Sequence, residues 1–168
     1  MSVIITVSTA SASFVTVHPH VGNTYWVGAD GHMISLINNN SAANPTYNQL
    51  ISFIKKDKTD ERTYKPGKYT CGDFAETVHN NAEKAGIKAS WVTIDFTNDN
   101  GGHVCNAFKT TDKGLVYMDC TGSYPHKSGN WDTNVKVQIG KPYRPTALFR
   151  SEFTYYSMGT VKSFARYW

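Results

Sequence analysis

The sequence predicts an α+β fold in which a helix that starts on a cysteine packs against an antiparallel β-sheet. Two observations carry the assignment. From residue 71 to 85, Phe74, Ala75, Val78, Ala82 and Ala85 recur at helical spacing. From residue 89 the period changes to two, in "ASWVTIDF" (89–96), "HVCNAFK" (103–109) and "LVYMDC" (115–120). A helix followed by strands that short turns can join is an α+β arrangement. At 168 residues the chain is most simply one domain, long enough to bury a core without disulfide staples.

Residues 1–29 contain no Asp, Glu, Lys or Arg. Their Val, Ile, Thr and Ser content predicts strands in "SVIITVS" (2–8) and "SFVTVH" (13–18), with "HPHVGN" as a turn. A loop-like stretch follows, with one short strand at 32–37. Residues 1–43 are therefore expected to form a β-rich extension packed on a core of residues 44–168. The first helix lies in "NPTYNQLISFIKKD" (44–57), with Asn44 as cap, Pro45 in the first helical position and Leu50, Ile51 and Ile54 as apolar face.

A polar connection, "DKTDERTYKPGKY", ends in a Pro-Gly turn. Thr70 and Asp73 in "TCGD" then have the spacing of a capping box, which makes Cys71 the first helical residue. Glu76, Asn80, Glu83 and Lys84 take the side opposite the apolar stripe, and His79 is expected to be solvated there. Gly86 stops the helix in the left-handed conformation. After the three strands, "VKVQI" (135–139) and "GTVKSFARYW" (159–168) are the remaining strands.

Composition narrows the function. Hydrophobic residues at 40% and charged residues at 18% describe a folded chain rather than a disordered one. A net charge of +4 without any basic run argues against a nucleic-acid partner but permits an anionic one, such as a cell-envelope polymer. No stretch is apolar and long enough to span a bilayer. The first residues lack the basic flank of a clear signal peptide, and the compartment stays open. Three cysteines, Cys71, Cys105 and Cys120, cannot all pair within the chain and form no CxxC. No metal or cofactor is expected. His18 and His20 flank a proline without a local carboxylate, and Cys105 and Cys120 are expected to be buried small hydrophobes.

Cys71 differs because of its position. A helix N-terminus offers unpaired N–H groups and roughly half a positive charge, conditions that favour a thiolate. A histidine would complete the activation, and a third polar group would orient the imidazole. In "HVCNAFKTTDKGLVYMDC", His103, Cys105 and Ala107 share one strand face, and Leu115, Tyr117 and Asp119 share one face of the next. A register that opposes 107 with 115 would set His103 across from Asp119, while a slip of two residues would separate them. Taken singly, His103 could equally be a hydrogen-bonded sheet histidine and Asp119 a strand-end residue.

"YTCGDFAETVHNNAEKAGIKASWVTIDF" followed by "GGHVCNAFKTTDKGLVYMDCTG" resembles the core of the transglutaminase-like superfamily, within the papain-like thiol enzymes. The matching pattern is a helix-starting Cys71, a strand-starting His103 and Asp119 on the following strand. The final "GTVKSFARYW" resembles a closing strand of small prokaryotic members. The resemblance covers about residues 44–168 and implies a Cys–His–Asp catalytic triad that works through a thioester. It also implies a side-chain oxyanion donor, for which Tyr64 and Trp26 are the candidates.

Three functions from different classes fit the sequence. The first is a thiol-dependent enzyme that cleaves amide bonds of a protein, peptide or cell-envelope polymer, most simply a cysteine peptidase. A cross-linking transglutaminase, transferring the acyl group to an amine, is its variant; small size and the lack of calcium-loop patterns favour water as acceptor. An envelope substrate would suit an extracellular or cell-envelope setting. The second is a non-catalytic binding module on the same scaffold, and the third is a metal site drawn from Cys71, His103 and Cys105.

Overall fold

The computed structural model describes residues 11–97, 101–125, 127–150 and 156–168. The expected strand at 2–8 lies outside the described residues. The architecture is α+β: among the described residues there are ten short or medium strands and two α-helices, with one 3-10 turn at Thr59–Glu61. The chain opens with β1 (Phe14–Val17), β2 (His20–Val21), β3 (Thr24–Tyr25) and β4 (Leu36–Asn39). Helices α1 (Tyr47–Lys56) and α2 (Cys71–Lys84) follow, then β5 (Ser90–Phe96), β6 (Gly102–Thr110) and β7 (Gly114–Asp119). The chain closes with β8 (Thr133–Val135), β9 (Thr146–Ala147) and β10 (Val161–Tyr167).

Six strands form one antiparallel sheet in the order β10-β5-β6-β7-β8-β9. Alternation along each strand gives the sheet two buried faces. On one face Phe108 and Met118 pack beneath Leu50 and Ile54 of α1 and Val78 and Ala82 of α2. On the other, Val92, Ile94, Cys105 and Ala107 pack with Val135, Tyr143 and Val161. The tail strand expected at 135–139 is shorter and earlier, at Thr133–Val135, the stretch that pairs with Tyr117, Met118 and Asp119 of β7.

Helix α1 starts two residues later than expected. Its cap is Thr46, not Asn44, because Thr46 and Gln49 bond reciprocally: Gln49 N–H donates to Thr46 Oγ1 at 3.2 Å and Thr46 N–H to Gln49 Oε1 at 2.8 Å. Pro45 therefore precedes the helix. Helix α2 begins at Cys71 as expected, with the Thr70 N–H donating to Asp73 Oδ2 at 2.7 Å. Its end is a Schellman motif: Gly86 N–H donates to Glu83 O, Ile87 N–H to Ala82 O, and Gly86 has φ +78°.

The polar side of α2 is not a solvent face. Glu76, Asn80 and Glu83 lie at i, i+4 and i+7 and accept, in order, the backbone N–H groups of Ser35, Ile37 and Asn39 at 2.7, 2.8 and 2.9 Å. The helix thus satisfies one edge of β4, whose other edge pairs with β1. Glu83 is buried and also takes the Ala89 N–H at 2.7 Å. His79, expected in water, is fully buried, and its Nε2–H donates to Asn38 Oδ1 at 2.9 Å. Burial pushes its pKa down to about 4, so the ring is neutral. Ile34 and Leu36 fill the space between β4, Ala75 and Trp91. Leu36→Ala is expected to lower stability by about 2–5 kcal/mol in urea unfolding, the range for a buried leucine truncation; a change below about 0.5 kcal/mol would mean that β4 is not part of the cooperative core.

Candidate active site

Cys71 sits at the first position of α2, half-buried. The turn that carries it is held from three directions. Asp73 is bonded to Thr70 and receives the Ala29 N–H at 3.3 Å. The Trp91 indole N–H donates to the Gly72 carbonyl at 3.1 Å. Deeper in the helix, Asn106 on β6 donates to the Ala75 carbonyl at 2.8 Å. The start of α2 is therefore fixed relative to the sheet by side chains from β5 and β6.

His103 stands one residue inside β6, buried, directly after Gly101 and Gly102. Its Nε2–H donates to Asp119 Oδ2 at 2.7 Å. The contact is made in a register other than the one that would set the two residues face to face. Ala107 opposes Tyr117 rather than Leu115, so the two meet as diagonal neighbours, still within reach of long side chains. The hairpin turn explains the slip. Thr111, Asp112 and Lys113 form a three-residue loop closed by Gly114 at φ +69°, and Thr110 Oγ1 binds both Lys113 N–H and the Gly114 carbonyl.

Asp119 collects three donors: His103, the Tyr143 hydroxyl at 2.8 Å and the Thr121 N–H at 3.1 Å. Burial alone would raise its pKa; the charge of His103 and these hydrogen bonds hold it below the usual carboxylate value. Burial likewise opposes a charge on His103. The Asp119 carboxylate and the hydrogen bonds to Asp119 and Cys71 outweigh that cost and raise the imidazole to about 10. The imidazolium form of His103 is therefore favoured, by Asp119 first and by the hydrogen bond with Cys71 after it. With Nε2 held by Asp119, Nδ1 is the nitrogen left for the sulfur.

Tyr143 gives no signal in the sequence. It is fully buried, and its ring stands edge-on to His103 with centroids 5.2 Å apart. A tyrosine between two prolines in "KPYRP" has no periodicity that would link it to residues 24 and 40 positions earlier. Tyr143→Phe should cost about 1.5–3 kcal/mol in urea unfolding at neutral pH, as expected for a buried hydrogen bond to a charged group. An unchanged unfolding midpoint would remove the hydroxyl from the account of Asp119.

The two oxyanion candidates separate. Tyr64 is half-buried against Phe74, with ring centroids 6.3 Å apart. Burial, then the Cys71 and Asp73 charges, raises the Tyr64 pKa, so it stays a hydrogen-bond donor. The Trp26 indole N–H instead donates to the Tyr167 hydroxyl at 3.2 Å. Cys105 and Cys120 are buried, and desolvation pushes both thiols well above their ordinary pKa. A cavity of about 150 Å³ borders His103 and Asp119, with Thr121, Pro145 and Met158 on its walls.

Among the described residues, Cys71, His103 and Cys105 do not gather three ligand atoms. Asp30, His32 and Asp73 do. That cluster is bridged by its own cation: His32 bonds Glu76 at 2.8 Å and also Asp30. The Glu76 and Asp30 hydrogen bonds raise His32 to about 9, which makes it an imidazolium strapping residues 30–35 to α2. Comparison with known proteins finds no match: no protein family, no curated protein and no solved structure.

Proposed function

We propose that the protein is a thiol-dependent enzyme with a papain-like, transglutaminase-like core, which cleaves amide bonds through a thioester on Cys71, as a cysteine peptidase does. One observation carries the proposal: an imidazolium held by a buried carboxylate lies against a half-open thiol at a helix N-terminus. Each component has a defined task in acyl transfer, and together they supply nucleophile, acid and orienting group.

In the first step Cys71, as the thiolate paired with the His103 imidazolium, attacks the amide carbonyl carbon through its sulfur. The C–N bond then breaks, and His103 gives its proton to the departing nitrogen, leaving a thioester and a neutral amine. In the second step His103 takes a proton from water as the water oxygen attacks the thioester, and the C–S bond breaks to release the acid. Asp119 keeps the ring oriented and stabilises its positive charge throughout. The carbonyl oxygen, negative in each tetrahedral intermediate, meets the Cys71 backbone N–H, which lies outside the helix's own bonding ladder. The Tyr64 hydroxyl is the second donor.

The test is amine release from a peptide library by untreated protein and by protein alkylated at Cys71 with one equivalent of iodoacetamide. Loss of release on alkylation is expected. Full activity after stoichiometric alkylation would remove Cys71 from the chemistry. Amine incorporation in place of hydrolysis would assign the same thioester to a cross-linking enzyme.

A further inference from the structure

The loop that leads into Cys71 is basic and held in place. Arg62 donates to the Tyr69 hydroxyl at 3.0 Å, with its guanidinium 5.7 Å from the centre of that ring. The Tyr69 hydroxyl is in turn 2.8 Å from Thr77 Oγ1 on α2. Lys65 and Tyr69 exchange both backbone hydrogen bonds, at 2.9 and 2.8 Å, around a tight turn in which Gly67 has φ +70°. Lys65 and Lys68 therefore stand on a pinned turn, exposed.

Arg62, Lys65, Lys68 and Tyr69 line a cleft of about 520 Å³ that also includes Glu61. The Glu61 charge is answered by Lys58 at 2.7 Å. Among the described residues no carboxylate pairs with Arg62, Lys65 or Lys68. Cys71 follows Lys68 by three positions, so their Cα atoms are at most about 11 Å apart. Tyr64 lies in the chain between the lining residues Thr63 and Lys65.

We infer that this cleft binds carboxylate side chains, and that the site beside it acts on acidic peptides. The inference rests on the proposed amide chemistry: an anion delivered to this thiol must belong to an amide-bearing chain. Cations that no carboxylate pairs with attract a polyanion and raise its local concentration near the sulfur. Arg62, its fork already fixed by Tyr69, is preorganised for a carboxylate.

Two measurements on the full chain test it. The first compares alkylation of Cys71 by iodoacetate, an anion, and by iodoacetamide, which is neutral, in about 10 mM salt where charges act over about 30 Å. K65Q/K68Q is expected to lower the ratio of the iodoacetate rate to the iodoacetamide rate about four-fold, roughly two-fold per charge at ~10 Å in water, the neutral reagent correcting for any change in the thiol itself. The second follows binding of fluorescein-labelled octaglutamate. K65Q/K68Q should weaken it at least about five-fold, and K65E/K68E should abolish it. Unchanged octaglutamate binding, or unchanged reagent selectivity at a reactive Cys71, overturns the cleft assignment and leaves the thiol chemistry standing. Tighter binding of octathymidylate than of octaglutamate reassigns the cleft to phosphodiester polymers and overturns the peptide assignment. A Cys71 inert to both reagents overturns the thiol chemistry and the substrate class with it.

Discussion

Cys71→Ala is expected to lower amide cleavage by at least about 10³-fold while the protein folds normally. The size of the loss follows from the removal of the sulfur proposed to carry the acyl group; oxyanion donors and substrate binding alone leave a small residue of rate. Folding should survive, because alanine suits the first turn of a helix and Asp119 still holds the His103 ring that the thiol touched. Cys105→Ala and Cys120→Ala form the control. Both thiols are buried and kept protonated, so these changes should cost some stability and leave cleavage in place. Amine release from a peptide library and thermal unfolding of each variant separate the outcomes. Cleavage that survives Cys71→Ala within ten-fold would assign the nucleophile elsewhere.

Asp119→Asn should lower cleavage by about 10³–10⁴-fold, the scale seen when a triad carboxylate becomes an amide. It should also change how stability depends on pH. The raised His103 pKa contributes stability that is full below its ordinary 6.5 and is lost as pH rises through about 10. The lowered Asp119 pKa contributes stability that is present above its ordinary 3.8 and is lost as pH falls through the depressed value. The pair therefore stabilises most between about 4 and 6.5, and its contribution declines from there to about 10. In Asp119→Asn a buried imidazole loses its counter-charge, and removing one member of such a pair costs about 3–5 kcal/mol. Urea midpoints measured from pH 4 to 10 should show the largest deficit at the acidic end of that range and convergence toward pH 10. A deficit independent of pH would mean that the pair contributes packing alone.

What the sequence disclosed depends on whether the deciding partner was local. Helix α2 could be read because Thr70, Cys71, Asp73 and Gly86 lie within one element and its two caps. The strands β5, β6 and β7 could be read because alternation is a property of each strand by itself. The polar side of α2 could not. Glu76, Asn80 and Glu83 look like a solvent face until β4 arrives from about 40 residues earlier with N–H groups to satisfy. His79 belongs to the same case, since a polar ring between charged neighbours gives no hint that Asn38 will bury it.

The candidate site divides along the same line. Cys71, His103 and Asp119 each carry a positional mark: the first turn of a helix, the start of a strand, the end of the next. Their mutual approach depends on the turn at residues 111–113, where a left-handed Gly114 selects a register different from the one that spacing alone suggests. Tyr143 carries no mark at all, because it reaches Asp119 from an irregular segment whose path only the packed sheet defines. Long-range supports of a reactive group are the part that one-dimensional pattern cannot supply.

The central claim is that the Cys71 sulfur becomes acylated by an amide substrate. Acid quenching during turnover of a peptide library, followed by mass spectrometry of the digested protein, tests this most directly. An acyl adduct is expected on the peptide that contains Cys71, absent from Cys71→Ala and discharged by hydroxylamine as a thioester is. A protein that turns over substrate with Cys71 always unmodified, or with the acyl group on another residue, would contradict it.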